Sequence, residues 1–392
     1  LNNKKFLVKS LDRTSNKIMI DGNTAAGLGA VYAGATFGSW YPITPSTSLM
    51  DSFSKYCNLY RKHPKTNENL YCIIQAEDEL SAAGMAMGAA WNGARAFTPT
   101  SGAGISLMSE FIGFAYYAEV GLVYFDIQRV GPSTGMPTRT QQCDINITAY
   151  ASHGDTKHIV LYPADPGECF TMAAQAFDLA ERFQTPVFFL SDLDIGMNDW
   201  MVDDLEWNEN YEPDRGKIMT SKQLADIEEY SRYLDIDGDY IPYRTLPGTD
   251  PKGAYFLRGS GHNKYGKYTE ISSEYKEVVD RLLLKWKSAA PFTPQPIISK
   301  SLKKTNYAVV AIGSSDGAVR EACINLEKHG IYIDYMRIRS FPFADSVEDF
   351  IIDHDFVFII EQNRDAQLMN LLLTETNAAR EKLVSIKYYA GQ

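Results

Sequence analysis

Short apolar runs and longer stretches of helical periodicity alternate along the first half of the chain. Short apolar runs bounded by turn residues indicate buried strands, whereas longer segments with apolar residues on one face indicate helices. This pattern predicts strands at 71–75, 96–98, 122–127, 158–162 and 186–190, and helices at 79–93, 105–117 and 167–183. Strands that alternate with helices in this way form βαβ units around a parallel sheet, so the first part of the chain is predicted to be an α/β domain.

The pattern changes after residue 190 and divides the chain into four parts. Residues 192–214 are rich in acidic side chains, and residues 231–268 are rich in Tyr, Gly and Asp, as an irregular connection would be. A predicted helix at 270–288 and a Pro-rich linker lead to a second α/β unit, with strands at 307–312, 332–338 and 356–361 and a helix at 318–329. The expected organisation is an N-terminal extension at 1–20, a first domain at 21–230, an irregular connection and linker at 231–300, and a second domain at 301–392.

The composition is that of a globular protein without a nucleic-acid or membrane partner. The 392 residues carry 38 Lys and Arg against 49 Asp and Glu, and a nucleic-acid-binding surface would need the opposite balance. Residues 22–50 contain no charged side chain, but Pro42, Pro45 and several glycines would interrupt a membrane-spanning helix there. The five cysteines include no Cys-x-x-Cys pair, which favours reduced thiols and a cytoplasmic location. The sequence starts without Met and without an apolar signal segment, so we expect a piece of a longer chain.

Three segments place polar side chains in settings suited to chemistry, and the first is Tyr41–Ser48. Pro42 and Pro45 stiffen the backbone around Thr44, because the residue before a proline is held in an extended conformation. A hydroxyl on such a rigid loop suits a hydrogen bond to a ligand. The alternative is a buried loop that ends in a Ser or Thr helix cap, and the sequence favours neither.

The second segment is Glu77–Glu79, where three acidic residues precede an Ala-rich helix. Acidic residues in a first helical turn complement the helix dipole, which is the structural alternative. Because the helix is almost entirely apolar, we expect one of the three carboxyls to be buried with it and available for proton exchange.

The third segment begins with Arg129, which follows the predicted strand at 122–127 and precedes a Gly- and Pro-rich loop at 131–137. Ligands of open α/β sheets bind at the carboxyl ends of the strands, and an Arg there suits a carboxylate or phosphate. The alternative is a structural ion pair between Arg129 and Asp126 or Asp144.

Two glycine-rich segments imitate nucleotide- or phosphate-binding motifs. Gly27–Gly34 lacks the glycine spacing of a dinucleotide-binding turn. Gly313–Gly317 has the composition of a phosphate-binding turn at a helix N-terminus, but a plain strand-to-helix connection explains it more simply.

Taken together, these segments resemble the α subunit of 2-oxoacid:ferredoxin oxidoreductases, in particular the 2-oxoglutarate type. The resemblance covers the chain from about Gly22 to its end. It rests on the order and spacing of Gly22-Asn23, Tyr41–Ser46, Glu77–Glu79, Thr100–Gly104, Gln128–Pro137, Pro247-Gly248 and Gly259–Gly266. It implies a pyrimidine-type thiamine-diphosphate-binding domain followed by a domain similar to the transketolase C-terminal domain.

The resemblance also implies roles for individual residues. Glu79 matches the family's catalytic glutamate, which hydrogen-bonds N1′ of the aminopyrimidine of thiamine diphosphate. Thr44 matches the threonine beside the substrate's oxo and carboxylate groups, and Arg129 matches the arginine that pairs with the 2-oxoacid carboxylate. The other residues of the matching motifs that are expected at the cofactor are Ile43, Ser101 and Gly102.

Two features of the family are absent from this sequence: a Gly-Asp-Gly motif, which holds Mg²⁺ and the diphosphate, and four cysteines spaced for a [4Fe–4S] cluster. The resemblance therefore implies a β subunit that carries both, with thiamine diphosphate bound between the chains. Ferredoxin would be the electron acceptor and coenzyme A the co-substrate. We expect the charge-poor segments 22–50 and 80–118 to contact the β subunit. An N-terminal γ-like domain is expected to be truncated or separately encoded.

The implied function is oxidative decarboxylation of a 2-oxoacid, with 2-oxoglutarate preferred, to an acyl-CoA and CO2. Pyruvate or a branched-chain 2-oxoacid is an alternative substrate, because the pocket for the distal end of the substrate is expected to lie largely on the partner. A non-catalytic assembly subunit with the same fold is the second alternative. The presence of Glu79, Thr44 and Arg129 together argues against it.

Overall fold

The computed structural model describes residues 13–391, and strands and helices alternate along them. The first elements are β1 (Lys17–Ile20), α1 (Gly22–Tyr32), β2 (Phe37–Trp40), α2 (Thr47–Tyr60), β3 (Cys72–Gln75), α3 (Glu79–Trp91), β4 (Ala96–Thr100), α4 (Gly102–Ala118), β5 (Val123–Gln128), α5 (Ile145–Ala149), β6 (Ile159–Leu161), α6 (Pro166–Phe183), β7 (Val187–Asp192), α7 (Leu193–Met197), β8 (Trp200–Asp203) and α8 (Ser221–Asp226). The later elements are α9 (Ser272–Lys287), β9 (Ile297–Ser299), β10 (Tyr307–Ala311), α10 (Ser315–Lys328), β11 (Asp334–Arg337), β12 (Ser340–Phe341), α11 (Asp345–Ile352), β13 (Phe356–Glu361), α12 (Gln367–Glu375) and β14 (Leu383–Lys387). Each predicted strand and helix is present, with ends shifted by a few residues.

A seven-stranded sheet in the order β12-β6-β7-β5-β4-β2-β3 organises the first part of the chain. Its strands are parallel except β12, which comes from the later part of the chain and pairs antiparallel with β6. The α/β class predicted from the apolar pattern is thus confirmed. Because β5, β4, β2 and β3 are consecutive and parallel, their carboxyl ends share one edge of the sheet, which we call the site edge. The segments containing Thr44, Glu79, Ser101 and Arg129 all begin there.

A second sheet of five strands, in the order β14-β13-β10-β11-β9, forms the later part of the chain. Only β9 is antiparallel to its neighbour. Ion pairs join this second unit to the first: Arg337 on β11 donates to Glu168 on α6 over 2.7 Å, and Lys157 contacts Glu375 on α12 at 2.6 Å. The second unit therefore contributes a strand to the first sheet and forms ion pairs with the first unit.

The apolar pattern did not predict helices α1 and α2, and α1 is the one that supports the site edge. Asp21 caps it by accepting a hydrogen bond from the Thr24 amide over 2.7 Å. Its glycines do not break it but allow close packing, since a Cβ on Gly29 would lie 2.4 Å from the Phe170 carbonyl oxygen on α6. The helix is buried within the chain's own core. The expectation that the whole charge-free segment faces a partner subunit is therefore wrong for α1, whose lack of charge follows from internal packing.

The segment expected to be an N-terminal extension contains β1, which pairs antiparallel with β8 of the acidic segment at 192–214. Predictions for residues 1–12 lie outside the described residues. None of the helices within residues 13–391 combines the length and the apolar character that crossing a membrane requires.

The irregular connection is attached to the first sheet by a buried ion network around Glu181, near the end of α6. The Glu181 carboxylate accepts hydrogen bonds from Arg95 over 2.7 Å, from Arg215 over 2.9 Å and from Arg244 over 2.9 Å. A carboxylate paired with several guanidinium groups offsets the cost of burying its charge. The network holds the chain from 211 to 245 against the side of the domain.

Candidate functional site

Arg129 and the Thr44 loop meet at the site edge. Nη1 of Arg129, which lies just beyond β5, donates to the main-chain oxygen of Thr44 over 2.6 Å. Among the described residues no carboxylate lies within 4.0 Å of the Arg129 guanidinium, so Arg129 forms no direct ion pair with Asp126 or Asp144, although its positive charge partly offsets the raised pKa of the Asp144 carboxyl. The remaining guanidinium N–H groups are therefore available to a ligand, as a carboxylate-binding arginine requires.

The Thr44 loop is held rigid by the buried Asn23 in the first turn of α1. Its Nδ2 donates to the Pro45 carbonyl and to Ser48 Oγ, both over 2.9 Å. At the start of α2, the Ile43 amide donates to Thr47 Oγ1 over 3.1 Å, whereas Ser46 occupies the cap position without a side-chain capping bond. Asn23 had no assigned role in the sequence analysis. The sequence signal for Asn23 was its position as a polar amide within the charge-free segment 22–50.

Glu79 is the buried carboxyl predicted among the three acidic residues before α3. Asp78 caps the helix by accepting from the Ser81 amide over 2.6 Å, and Glu77 is exposed. The Glu79 side chain is only 7% exposed and has no hydrogen-bond partner within the described part of the chain. A Cβ on Gly104 would lie 3.0 Å from Glu79 Cγ, so the glycine leaves room beside this carboxylate. A nearly buried, unpartnered carboxylate beside a glycine fits the polar ring of a bound cofactor.

Ser101 and Gly102 begin α4 at the same edge. A Cβ on Gly102 would lie 2.3 Å from Asp144 Oδ1, so this backbone lies directly against the Asp144 carboxyl. Burial raises the pKa of Asp144 to about 6, and burial together with the negative charge of Asp144 raises the pKa of Asp126 well above its usual range. The sequence analysis considered these two carboxyls only as partners for Arg129. An Asp inside the otherwise apolar strand β5 was the available signal.

The site edge thus brings together the four segments in which the sequence places site residues. Thr44 and Arg129 are in direct contact, Glu79 lies beside Gly104, and Gly102 lies against Asp144. Donors at Arg129 suit an anionic substrate, and the Glu79 carboxylate suits a ring nitrogen. Within residues 13–391, no three His, Cys, Asp or Glu side chains are arranged to hold a metal ion.

Residues 28–223 match the profile of a family described as pyruvate flavodoxin/ferredoxin oxidoreductase, thiamine diphosphate-binding. The parallel sheet and the polar site edge thus define a thiamine-diphosphate-binding α/β protein. The chain is 32% identical over 332 residues to the 2-oxoglutarate synthase subunit KorA of Methanocaldococcus jannaschii and covers 84% of that relative. The chain belongs to the family of 2-oxoacid:ferredoxin oxidoreductase α subunits, which includes KorA.

Two further comparisons cover almost the whole chain. The 2-oxoacid:ferredoxin oxidoreductase subunit alpha of Saccharolobus solfataricus is 32% identical over 379 residues, and the match spans 95% of this chain and 59% of that subunit. A 2-oxoglutarate:ferredoxin oxidoreductase from Magnetococcus marinus, solved with 2-oxoglutarate, coenzyme A and succinyl-CoA bound, superimposes with a TM-score of 0.86 and 28% identity. That match covers 96% of this chain and 63% of the other. The chain therefore spans about 60% of the length of several relatives that it matches.

Proposed function

We propose that the chain is the α subunit of a thiamine-diphosphate-dependent 2-oxoacid:ferredoxin oxidoreductase that prefers 2-oxoglutarate. The reaction converts a 2-oxoacid and coenzyme A into an acyl-CoA and CO2 and reduces ferredoxin. The observation that carries the proposal is the Glu79 carboxylate, which belongs to a residue only 7% exposed and has no hydrogen-bond partner among the described residues, at the edge shared with Thr44 and Arg129. The family of the chain and the 2-oxoglutarate-bound Magnetococcus enzyme support the choice of substrate.

Glu79 is proposed to hydrogen-bond the aminopyrimidine nitrogen of thiamine diphosphate and to hold a proton at that atom. When bound, the cofactor supplies an acidic ring carbon and an electron sink for decarboxylation. Because Glu79 is nearly buried, its hydrogen bond to the ring would be little weakened by water. The further contacts proposed for the cofactor are Ile43, Ser101 and Gly102.

Arg129 and Thr44 are proposed to hold the 2-oxoacid. The guanidinium N–H groups that Thr44 does not use would pair with the substrate carboxylate in a planar, bidentate geometry. The Thr44 hydroxyl would hydrogen-bond the oxo or carboxylate oxygen from a loop that Asn23 holds in place. Both residues would orient the reacting carbon.

A β subunit is proposed to complete the site with Mg²⁺, the diphosphate-binding motif and a [4Fe–4S] cluster, and to pass electrons to ferredoxin. The sequence supports this division because it contains neither a Gly-Asp-Gly motif nor the cysteine spacing of a cluster. The proposed contact surface is the exposed apolar side of α3 and α4, made by Leu80, Met85 and Leu107. The free state of all five thiols supports a cytoplasmic location.

The test is Glu79→Gln in the holoenzyme, assembled with its partner subunits and assayed by ferredoxin reduction. Because the amide cannot hold the proton at the ring nitrogen, turnover should fall by a factor of about 10²–10⁴ while assembly is unchanged. Glu77→Gln, an exposed neighbour, is the matched control and should keep wild-type turnover. Wild-type turnover in Glu79→Gln would contradict the assigned role.

A substrate panel of 2-oxoglutarate, pyruvate and a branched-chain 2-oxoacid tests the substrate preference on the same preparation. The highest kcat/KM is expected for 2-oxoglutarate. A higher value for either of the other acids would refute the preference without affecting the role of Glu79.

A further inference from the structure

The loop that follows Arg129 closes on itself but has few contacts with its own domain. The Val130 amide donates to the Arg139 carbonyl over 3.0 Å, and the Met136 amide donates to the Val130 carbonyl over 3.1 Å. The stretch from 132 to 139 is exposed. Its orientation must therefore be set at the two ends of the loop, and Arg129, whose side chain also contacts the Thr44 carbonyl, lies at the first of them.

The far end of the loop, residues 141–143, is held by the second unit. The Gln142 amide donates to the Gln362 carbonyl over 3.1 Å, and Asn363 Nδ2 donates to the Gln142 carbonyl over 3.0 Å. Gln367 Nε2 donates to the Cys143 carbonyl over 2.6 Å. We call Gln362, Asn363 and Gln367 the clamp. Its bonds go to main-chain atoms, so they position the backbone whatever side chains the loop carries.

The clamp is itself anchored, which makes it a rigid support. Asn363 Nδ2 also contacts the buried Glu361 carboxylate at the end of β13 over 2.8 Å. Gln367 lies in the first turn of α12 and, through Oε1, also accepts from the Asn146 amide over 3.1 Å. The clamp therefore connects strand β13 and helix α12 of the second unit to the loop.

The chain after β14 makes a second contact with the same loop. Gln141 Nε2 donates to the Tyr389 carbonyl over 3.3 Å. Gly391 is buried against the loop, and a Cβ there would lie 2.5 Å from Met136 Cε and 2.9 Å from Val130 Cγ2. Two separate parts of the second unit thus contact the loop that follows Arg129.

From these contacts we infer that the second unit positions Arg129 for the substrate carboxylate, with Gln367 and Asn363 acting as positioning residues. The inference rests on the proposed function, in which Arg129 binds the 2-oxoacid. A small displacement of a substrate-binding group weakens binding, because the group no longer meets the substrate in the right geometry. Contacts that hold the loop in place therefore contribute to substrate affinity. The second unit then contributes to catalysis without touching substrate or cofactor.

The experiment compares Gln367→Ala, Arg129→Lys and the double variant in the holoenzyme with its partner subunits. Gln367→Ala should raise KM for 2-oxoglutarate about tenfold, the factor expected from losing about one positioning hydrogen bond, and change kcat far less. In the Arg129→Lys background, Gln367→Ala should raise KM little further, because both substitutions weaken the same interaction with the substrate carboxylate. Glu375→Gln breaks another ion pair between the two units and should leave KM unchanged.

The outcomes separate the inference from the proposed function. If Arg129→Lys raises KM and Gln367→Ala does not, the inference is overturned and the proposed function stands. If Arg129→Lys leaves KM unchanged, the substrate-binding role proposed for Arg129 fails, and the inference that rests on it fails with it. An equal KM rise in Glu375→Gln would show a general effect of loosening the units and would also overturn the inference. If the Gln367→Ala variant does not assemble with its partner subunits, Gly391→Ala tests the second contact, which the chain after β14 makes with the loop. An unchanged KM in Gly391→Ala would then overturn the inference.

Discussion

Several polar groups around the site edge are buried without hydrogen-bond partners among the described residues. They include Asn23 Oδ1, Ser101 Oγ and both carboxylate oxygens of Asp126. Each such group costs free energy that an apolar side chain would not. Local choices that oppose stability are typical of functional sites, and these groups agree with a site at this edge, although buried polar atoms without partners also occur elsewhere, for example at Tyr162 and His262.

Arg129 is expected to act through the shape of its guanidinium rather than its charge alone. In Arg129→Lys the ammonium keeps the charge but cannot contact Thr44 and a carboxylate with one planar group, so KM for the 2-oxoacid should rise about tenfold or more. Initial rates of the holoenzyme over a range of 2-oxoglutarate concentrations measure this. Arg139→Lys, in the exposed part of the same loop, is the control. An unchanged KM in Arg129→Lys would remove Arg129 from the substrate site.

The Asp126 and Asp144 carboxyls are expected to make the protein less stable as the pH rises. Their pKa values are raised in the folded protein, that of Asp144 from 3.8 to about 6, so between these values the folded state binds more protons than the unfolded state. The free energy of unfolding therefore falls as the pH increases through this range.

Asp126→Asn removes the free-energy cost of burying a negatively charged carboxylate, because the amide carries no charge. It should raise the free energy of unfolding at neutral pH and make its fall with increasing pH less steep. Thermal unfolding across this pH range measures both effects. The exposed Asp199→Asn is the control, and lower stability of Asp126→Asn at pH 7 would contradict the argument.

At the level of elements, α1 shows how a functional loop is supported by close helix packing. Its glycines bring it against α6, and Asn23 in its first turn reaches the Thr44 loop. Helices packed on several sides by small residues have no single apolar face, so their periodicity is weak. The prediction missed α1 and found α6, which has the strong amphipathic pattern of a helix with one exposed face. It also missed α2, which is as amphipathic as α6, so weak periodicity is only part of the reason.

Gly29→Ala tests this packing. The added methyl group would lie 2.4 Å from a backbone oxygen of α6, so the helices must separate, and the free energy of unfolding should fall by about 1–3 kcal/mol. Gly88→Ala on α3 is the matched control. No atom lies within 4 Å of its Cβ position, so the alanine should stabilise the helix by about 0.5–1 kcal/mol. Equal effects of the two variants in chemical denaturation would disprove the packing argument.

At the scale of the whole molecule, two units act on one site. The second unit supplies β12 to the first sheet, ion pairs at Arg337 and Lys157, and the clamp on the loop after Arg129. Such contacts join residues far apart in sequence, so no local pattern predicts them. The domain boundary at 300/301 remains a prediction. Strand β9 of the second sheet lies before it, and β12 from beyond it joins the first sheet.

The exposed apolar side of α3 and α4 is the predicted contact with the β subunit. Leu107 is 57% exposed on α4, and burying that exposed part against a partner would contribute about 1–1.5 kcal/mol. Leu107→Asp should therefore weaken association, seen as loss of the partner from the co-purified complex, while the α chain remains folded. Leu302→Asp, at an 84% exposed position of the second unit, should leave the complex intact. Full recovery of the complex with Leu107→Asp would place the interface elsewhere.

The strands and helices from β3 to β7, apart from α5, and the segments that carry Thr44, Glu79 and Arg129 were readable from the sequence, because apolar periodicity and turn residues are local signals. The elements α1, β2 and α2 were not predicted. The burial of Glu79 was also predictable, since the helix it begins is almost wholly apolar. Asn23, Asp144, the clamp and the role of Gly29 were not, because each depends on which distant backbone the fold brings within a few ångströms. Periodicity determines what kind of element a segment forms, but only tertiary packing decides which elements meet and which polar groups are left to bind a ligand.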